Sequence, residues 1–177
     1  IFYNADYVEV GKLGPELEQE KRIMELTHGK EVINNVTVLI RADADVPTGI
    51  HAIAALEIDV LVLTEYVDGP HLTGFKDSLK DIGYESVAVS LRGPRQNQVL
   101  IAARSPLADD GLLPLPGHPE AATTNWLHRR LPALHLEIVG FRAPMYREAD
   151  ERTGYWRQVE DIARAARDRH VIFLGDF

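Results

Sequence analysis

The sequence predicts a domain of mixed α/β (α+β) class, in which layered β-sheets are covered by outer helices. Its 177 residues, 45% of them hydrophobic, suit a single domain with a buried core. Two continuous apolar runs, Val60–Leu63 and Val171–Leu174, are typical of strands buried on both faces. Segments with apolar residues at helical spacing separate the apolar runs, so strands and helices alternate along the chain.

The first third of the chain is predicted to form two helices and one strand. A helix begins at Gly14–Pro15, where the proline occupies the first turn, and runs to about His28. A strand is expected at Val36–Ile40. A second helix is expected at Pro47–Leu56, with Ile50 and Ile53 facing the core.

The central third is predicted to form a helix between strands. The strand at Val60–Leu63 is followed by apolar residues at helical spacing, and Gly83 ends that helix. These residues are Leu72, Phe75, Leu79 and Ile82. Two short strands follow at Ser86–Ser90 and Val99–Ala103, joined by a turn at Arg92–Arg95.

The last third begins with a long loop, Ser105–Thr124, which is rich in proline, glycine, alanine and aspartate. Long ordered loops often carry function. A strand is expected at Leu134–Phe141. An amphipathic helix is expected at Glu151–Arg169, and the final strand is Val171–Leu174.

Composition excludes several classes of site. The chain has no cysteine, which rules out disulfides, thiolate zinc sites and cysteine nucleophiles. Its histidines lack the spacing of a zinc site. The net charge of −8 makes the surface a poor partner for anionic membranes or bulk nucleic acid. No transmembrane segment or signal peptide is expected from the sequence, which favours a cytoplasmic location.

Two acidic residues follow the buried apolar runs. Glu65 comes after Val60–Leu63, and Asp176 comes after Val171–Leu174 and a single glycine, Gly175. If the two carboxylates converge, they offer the oxygen ligands that a hard cation such as Mg²⁺ prefers. The alternative is that both are ordinary turn acids, which are common just beyond strand ends.

Three segments in order resemble motifs of the endonuclease/exonuclease/phosphatase family. Asp59–Glu65 resembles its D-hydrophobic-LQE motif, Asn97–Pro106 its NGVAILSR-x-P strand, and Val171–Phe177 its GDFN motif. The resemblance covers residues 36–177 of the single domain expected at 1–177, and leaves 1–35 as an N-terminal segment. It implies a four-layer sandwich of two mixed sheets flanked by helices. It also implies phosphoester hydrolysis that depends on Mg²⁺ or Mn²⁺.

The resemblance also implies roles for individual residues. It makes Glu65 a metal ligand, with Asp43 as the available second oxygen donor, and Asp176 the residue that orients the attacking water. Arg142 and Tyr146 lie where the family places substrate-contacting groups, so both are candidate catalytic residues. Arg142 suits a phosphate, and its alternative is a solvated surface arginine.

The predicted function is hydrolysis of a phosphoester by metal-activated water. Arg92, Arg95 and Arg104 are expected near the cleft, which keeps a nucleic acid or nucleotide substrate open. The alternative is a non-catalytic binding or scaffold module, because the family's first-strand asparagine and final Asp-His motif are missing. A flavodoxin-like nucleotide binder is disfavoured, because Arg41–Val46 contains no glycine. The stop within the GDFN-like motif leads us to expect a truncated or discontinuous chain.

Overall fold

The computed structural model describes residues 8–9, 35–39, 46–67, 74–91, 97–111, 113–116, 123–144 and 146–176. Four of the predictions above, the helix Gly14–His28, the metal ligand Asp43, Leu72 and the turn Arg92–Arg95, lie outside these residues.

The first sheet has five strands in the order β1-β2-β3-β5-β4. These strands are β1 (Val8–Glu9), β2 (Asn35–Leu39), β3 (Val60–Tyr66), β4 (Ser86–Val89) and β5 (Gln98–Ala103). The first three are parallel to one another, while β5 is antiparallel to both β3 and β4. The sheet is therefore mixed, as the resemblance implies.

The second sheet has three strands in the order β6-β7-β8. These strands are β6 (Trp126–Leu131), β7 (Leu136–Arg142) and β8 (Val171–Asp176). The β6-β7 pair is antiparallel and the β7-β8 pair is parallel, so this sheet is also mixed. A 3-10 helix at Pro132–Leu134 connects β6 to β7.

Three buried clusters join the sheets and helices into four layers. Three helices of the described ranges are α1 (Val46–Ala55), α2 (Phe75–Asp81) and α3 (Ala149–Ala165). Side chains of α1 and α2, including Ile53 and Leu79, pack on one face of the first sheet. Apolar residues of both sheets form the second cluster, between them. The third cluster joins the outer face of the second sheet to Val159 and its neighbours on α3. The four-layer sandwich with two mixed sheets and outer helices is thus confirmed.

The alternating pleat assigns each β7 side chain to one of two layers. Leu136 and Ile138 belong to the cluster between the sheets, whereas Val139 and Phe141 belong to the cluster against α3. Gly140 faces the first sheet, because a methyl group there would come within 2.8 Å of both Val62 and Val99. The missing side chain lets the two sheets approach closely near the end of β7.

Most predicted elements are observed with boundaries shifted by a few residues, but two strands, β1 and β6, were not predicted. The run Trp126–Leu131 forms β6, although its centre is polar and shows no clean alternation. The strand predicted from Leu134 begins only at Leu136, because Pro132–Leu134 forms a 3-10 turn and His135 adopts a left-handed conformation, φ 49°. The described part of the long loop contributes one isolated bridge, Ala108 to Arg130. No helix in the described ranges is long and apolar enough to cross a membrane.

We expect Leu79→Ala to reduce the free energy of unfolding by about 2–5 kcal/mol, since the substitution leaves a cavity at a buried leucine. Leu79 is 0% exposed and packs in the cluster between α2 and the first sheet. Urea denaturation measures the change. Lys80→Ala on the exposed side of the same helix is the control, and we expect a change within about 0.5 kcal/mol. Equal losses in the two variants would mean that α2 does not bury this face.

Candidate active site

A β-bulge near the end of β3 turns Glu65 out of the regular alternation. Leu63 pairs with Leu100 and Tyr66 pairs with Gln98, so β3 has one more residue than β5 in this interval. Leu63 and Tyr66 both pack in the helix-side cluster although they are three positions apart. An extra residue of this kind bends the strand and redirects side chains. Glu65 lies in the bulge.

Glu65 has a backbone conformation that is unusual for a residue with a side chain. Its φ is 62°, in the left-handed region, which costs a non-glycine residue free energy that the surrounding structure must offset. The carboxylate Oε1 lies 3.0 Å from Nη2 of Arg142, at the end of β7 in the other sheet. The bulge therefore carries the β3 carboxylate to the second sheet.

Arg142 lies next to the last strand as well. In the parallel β7-β8 ladder it is the register partner of Asp176, and Phe141 is the partner of Gly175. The backbone positions of Arg142 and Asp176 are thus neighbours, and the guanidinium of Arg142 contacts Glu65. Three of the five predicted site residues therefore come together where β3, β7 and β8 end.

Gly175 allows β8 to approach β7 at this point. Its φ of 153° is one that residues with side chains rarely adopt. A methyl group at this position would overlap the carbonyl oxygen of Phe141. Glycine is thus required here for the pairing that places Asp176 beside Arg142.

Tyr146 packs in the layer between the second sheet and α3, and not between the two sheets. Its ring is 5.8 Å from that of Tyr155 on α3, and it packs against the cluster of that layer. Burial, and then the charge of Glu151, raise the pKa of Tyr146, which keeps its hydroxyl protonated at neutral pH. Its proposed contact with substrate stays a prediction.

The donor chemistry at Glu65 fits a hard divalent cation. The described residues contain no group of three His, Asp or Glu side chains that could enclose a metal. Mg²⁺ does not need such a cage, since it is usually held by one or two carboxylates, several waters and substrate phosphates. The Glu65 carboxylate already has a cationic group, the Arg142 guanidinium, beside it.

The expectation that Arg104 lies near the cleft is wrong. Arg104 follows Ala103, the partner of Val60, at the opposite end of β3 from Glu65. Its Nε donates to the carbonyl oxygen of Ile58 and its Nη1 to that of Ile82, both at 3.1 Å. Because β5 runs antiparallel to β3, its last residue is far from the end of β3. Arg104 therefore has a structural role.

A buried polar cluster near the start of β5 was missed by the sequence analysis. Ser90 Oγ donates to the carbonyl oxygen of Thr124 at 2.6 Å and accepts from the backbone N–H of Val99 at 2.9 Å. Gln98 Nε2 donates to the carbonyl oxygen of Ser90 at 2.5 Å. The cluster connects the end of β4 to the segment that enters β6. It lies at the same end of the first sheet as Glu65, because Gln98 pairs with Tyr66. Gln98, a polar residue at the start of an apolar run, was the only signal.

A second polar network lies at the start of β7, the end opposite Arg142. The backbone N–H of Leu113 donates to Nδ1 of His128 at 2.9 Å, so Nε2 of the neutral ring carries the proton and donates to Glu137 at 2.8 Å. Arg169 donates to the same carboxylate from Nε and Nη2. Burial lowers the pKa of His128, against the raising effect of Glu137. A cavity of about 250 Å³ adjoins this network, but Arg169 and Arg130 beside it are already paired with acids. We assign the network a structural role.

The chain resembles solved structures of phosphoester-cleaving proteins, although no family model and no curated protein matches it. One is the 3′ phosphatase NExo from Neisseria bound to product DNA hairpin, with 18% identity, a TM-score of 0.59, and coverage of 76% of this chain and 53% of that one. An AP endonuclease from Archaeoglobus fulgidus matches with 16% identity and a TM-score of 0.54, covering 74% and 51%. ANGEL2, a 2′,3′-cyclic phosphatase in complex with adenosine-2′,3′-vanadate, matches with 14% identity and a TM-score of 0.55, covering 96% and 51%.

These similarities establish the fold. The chain has the fold of an endonuclease/exonuclease/phosphatase-type domain, as its three motifs implied. It spans about half the length of the solved structures that it matches.

Proposed function

We propose that this chain contributes the core of a Mg²⁺- or Mn²⁺-dependent hydrolase that cleaves phosphoesters of nucleic acids or nucleotides. The observation that carries the proposal is the contact between Glu65 and Arg142, together with the strand register that puts the backbone of Asp176 beside that of Arg142. An acid, a guanidinium and a second acidic residue at one edge supply the groups that phosphoester hydrolysis needs. A shared fold alone would not support this proposal, because one fold serves many functions.

In this proposal Glu65 holds the cation, and Asp43 adds a second oxygen. When bound, the cation stabilises the charge that develops on phosphoryl and leaving-group oxygens. Glu65 suits the task because it lies in the bulge and its carboxylate reaches the end of β7 in the second sheet. Its side chain is 35% exposed, which leaves room for a substrate to approach.

The remaining residues act on the substrate and on water. Arg142 binds a phosphate oxygen through its planar guanidinium, which matches phosphate geometry. Asp176 accepts a hydrogen bond from the attacking water and so orients it toward phosphorus. Tyr146 packs against the α3 cluster, so in this proposal its protonated hydroxyl donates a hydrogen bond only to a part of the substrate that extends beyond the end of β7.

The nucleic acid or nucleotide class is supported by what the similar structures contain. One of them holds a product DNA hairpin and another an adenosine-2′,3′-vanadate. The net charge of −8 on this chain disfavours tight non-specific binding along a duplex. We therefore favour recognition of one phosphate group near a strand end or in a nucleotide.

The test is a panel of phosphoesters assayed with the purified chain. The panel contains a 3′-phosphorylated oligonucleotide, an abasic duplex, a 2′,3′-cyclic nucleotide and bis-(p-nitrophenyl) phosphate. We expect hydrolysis of at least one substrate in the presence of Mg²⁺ or Mn²⁺, and loss of that activity in EDTA. Binding of the oligonucleotides without turnover under any metal condition would contradict the proposal and support the non-catalytic binding module.

A further inference from the structure

The Glu65 carboxylate has two competing uses. In the structure its Oε1 accepts the Arg142 guanidinium at 3.0 Å. In the proposed function the same carboxylate holds a divalent cation. Two cationic groups on one carboxylate repel each other, because they lie within a few ångströms in a partly shielded setting. Binding of the cation therefore opposes the contact between Glu65 and Arg142.

Arg142 has a matching conflict. The guanidinium that contacts Glu65 is also the group that we assign to the substrate phosphate. Its backbone is fixed at the end of β7 by pairing with β8, so only the side chain can move from Glu65 toward a phosphate. The Arg142 side chain is 29% exposed, and the ion pair is thus weak enough to open.

We propose that Arg142 is an internal substitute for the divalent cation, and that it leaves Glu65 when the cation binds. The released guanidinium then becomes available to the substrate phosphate. This inference rests on the proposed function and adds to it a coupling between two ligands. Without the cation, Glu65 withholds Arg142 from phosphate. With the cation, the site acquires both positive groups at once.

The first consequence concerns the affinity for Mg²⁺. Arg142→Ala removes the competitor from Glu65, so we expect Mg²⁺ to bind about three- to tenfold more tightly than to the parent chain. Isothermal titration calorimetry with Mg²⁺ alone measures this. Arg157→Ala, which removes the same charge from an exposed position on α3, should leave the affinity within about twofold. Glu65→Gln should weaken Mg²⁺ binding, with or without Arg142→Ala.

The second consequence concerns phosphate in the absence of metal. Glu65→Gln removes the ion pair between Glu65 and Arg142, so we expect inorganic phosphate to bind more tightly than to the parent chain in EDTA. Loss of a negative charge alone would have the same sign. A double-mutant cycle separates the two effects, because a simple charge effect is equal in the Arg142 and Arg142→Ala backgrounds. We expect Glu65→Gln to increase the affinity for phosphate by a factor at least about threefold larger when Arg142 is present than when it is alanine. A coupling of this size is typical of residues in contact.

These titrations measure binding, so they are independent of turnover. Unchanged or weaker Mg²⁺ affinity in Arg142→Ala would overturn the inference, even if the parent chain hydrolyses phosphoesters. Equal phosphate gains in the two backgrounds would overturn it as well. Both expected shifts in a chain that hydrolyses no substrate would support the exchange of partners at Glu65 and contradict the proposed function alone.

Discussion

Glu65→Gln is expected to lower metal-dependent phosphoester hydrolysis by at least about a hundredfold, because charge stabilisation by a bound cation is worth several kcal/mol in the transition state. Glutamine keeps the length and shape of the side chain but removes the negative charge that a hard cation requires. The assay is kcat/KM on whichever phosphoester the parent chain cleaves, measured at saturating Mg²⁺.

The fold should survive this change. The pair that glutamine breaks is partly exposed, so we expect the free energy of unfolding to change by no more than about 1 kcal/mol. Glu85→Gln, at an exposed position before β4 and remote from the bulge, is the matched control and should retain full activity. Near-normal turnover in the Glu65 variant would remove this residue from the proposed metal site.

Gly175→Ala is expected to destabilise the domain by about 2–6 kcal/mol, from the combined costs of backbone strain and overpacking. The alanine methyl group would overlap the Phe141 carbonyl oxygen. The backbone φ of Gly175, 153°, is also unfavourable for any residue with a side chain. Relief requires β8 to move away from β7, which also separates Asp176 from Arg142. We therefore expect activity to fall even where the variant remains folded.

Gly154→Ala is the control. It is the same substitution, but we expect it to increase the free energy of unfolding. Gly154 lies within α3, and a methyl group there would meet no atom within 4 Å. Alanine in a helix is favoured over glycine by about 0.5–1 kcal/mol, so this variant should be more stable than the parent. Guanidinium denaturation of both variants provides the comparison, and a Gly175 variant as stable as the Gly154 variant would disprove the close β7-β8 contact.

The strand ends that build the site could be located from sequence because their signal is local. An apolar run long enough for a strand, with an acid two positions after its last residue, occurs at Glu65 and again at Asp176. The three motifs then indicated the fold, and the two mixed sheets with outer helices agree with it. The core face of α3 was likewise predictable, since Tyr155, Val159 and Ile162 recur at helical spacing and are all buried.

What the sequence analysis missed depends on contacts between residues that are distant in the chain. β6 was not predicted because His128, Arg129 and Arg130 make its centre look like a surface segment. His128 is nevertheless 3% exposed, and its burial is stabilised by Glu137 on the neighbouring strand. Arg104 was misplaced for a similar reason, because only the antiparallel register of β5 shows which end of the sheet it occupies.

Because Glu65 lies in a bulge, its position depends on the number of residues between Leu63 and Tyr66 as well as on which residues they are. Leu63 and Tyr66 both anchor in the helix-side core, and the residues between them number one more than a regular strand allows. Deleting a single codon there would restore regular pairing and return the following side chains to the ordinary alternation. A relative could thus lose this site while retaining the glutamate, the arginine and the aspartate, so gaps in an alignment carry as much functional information here as substitutions.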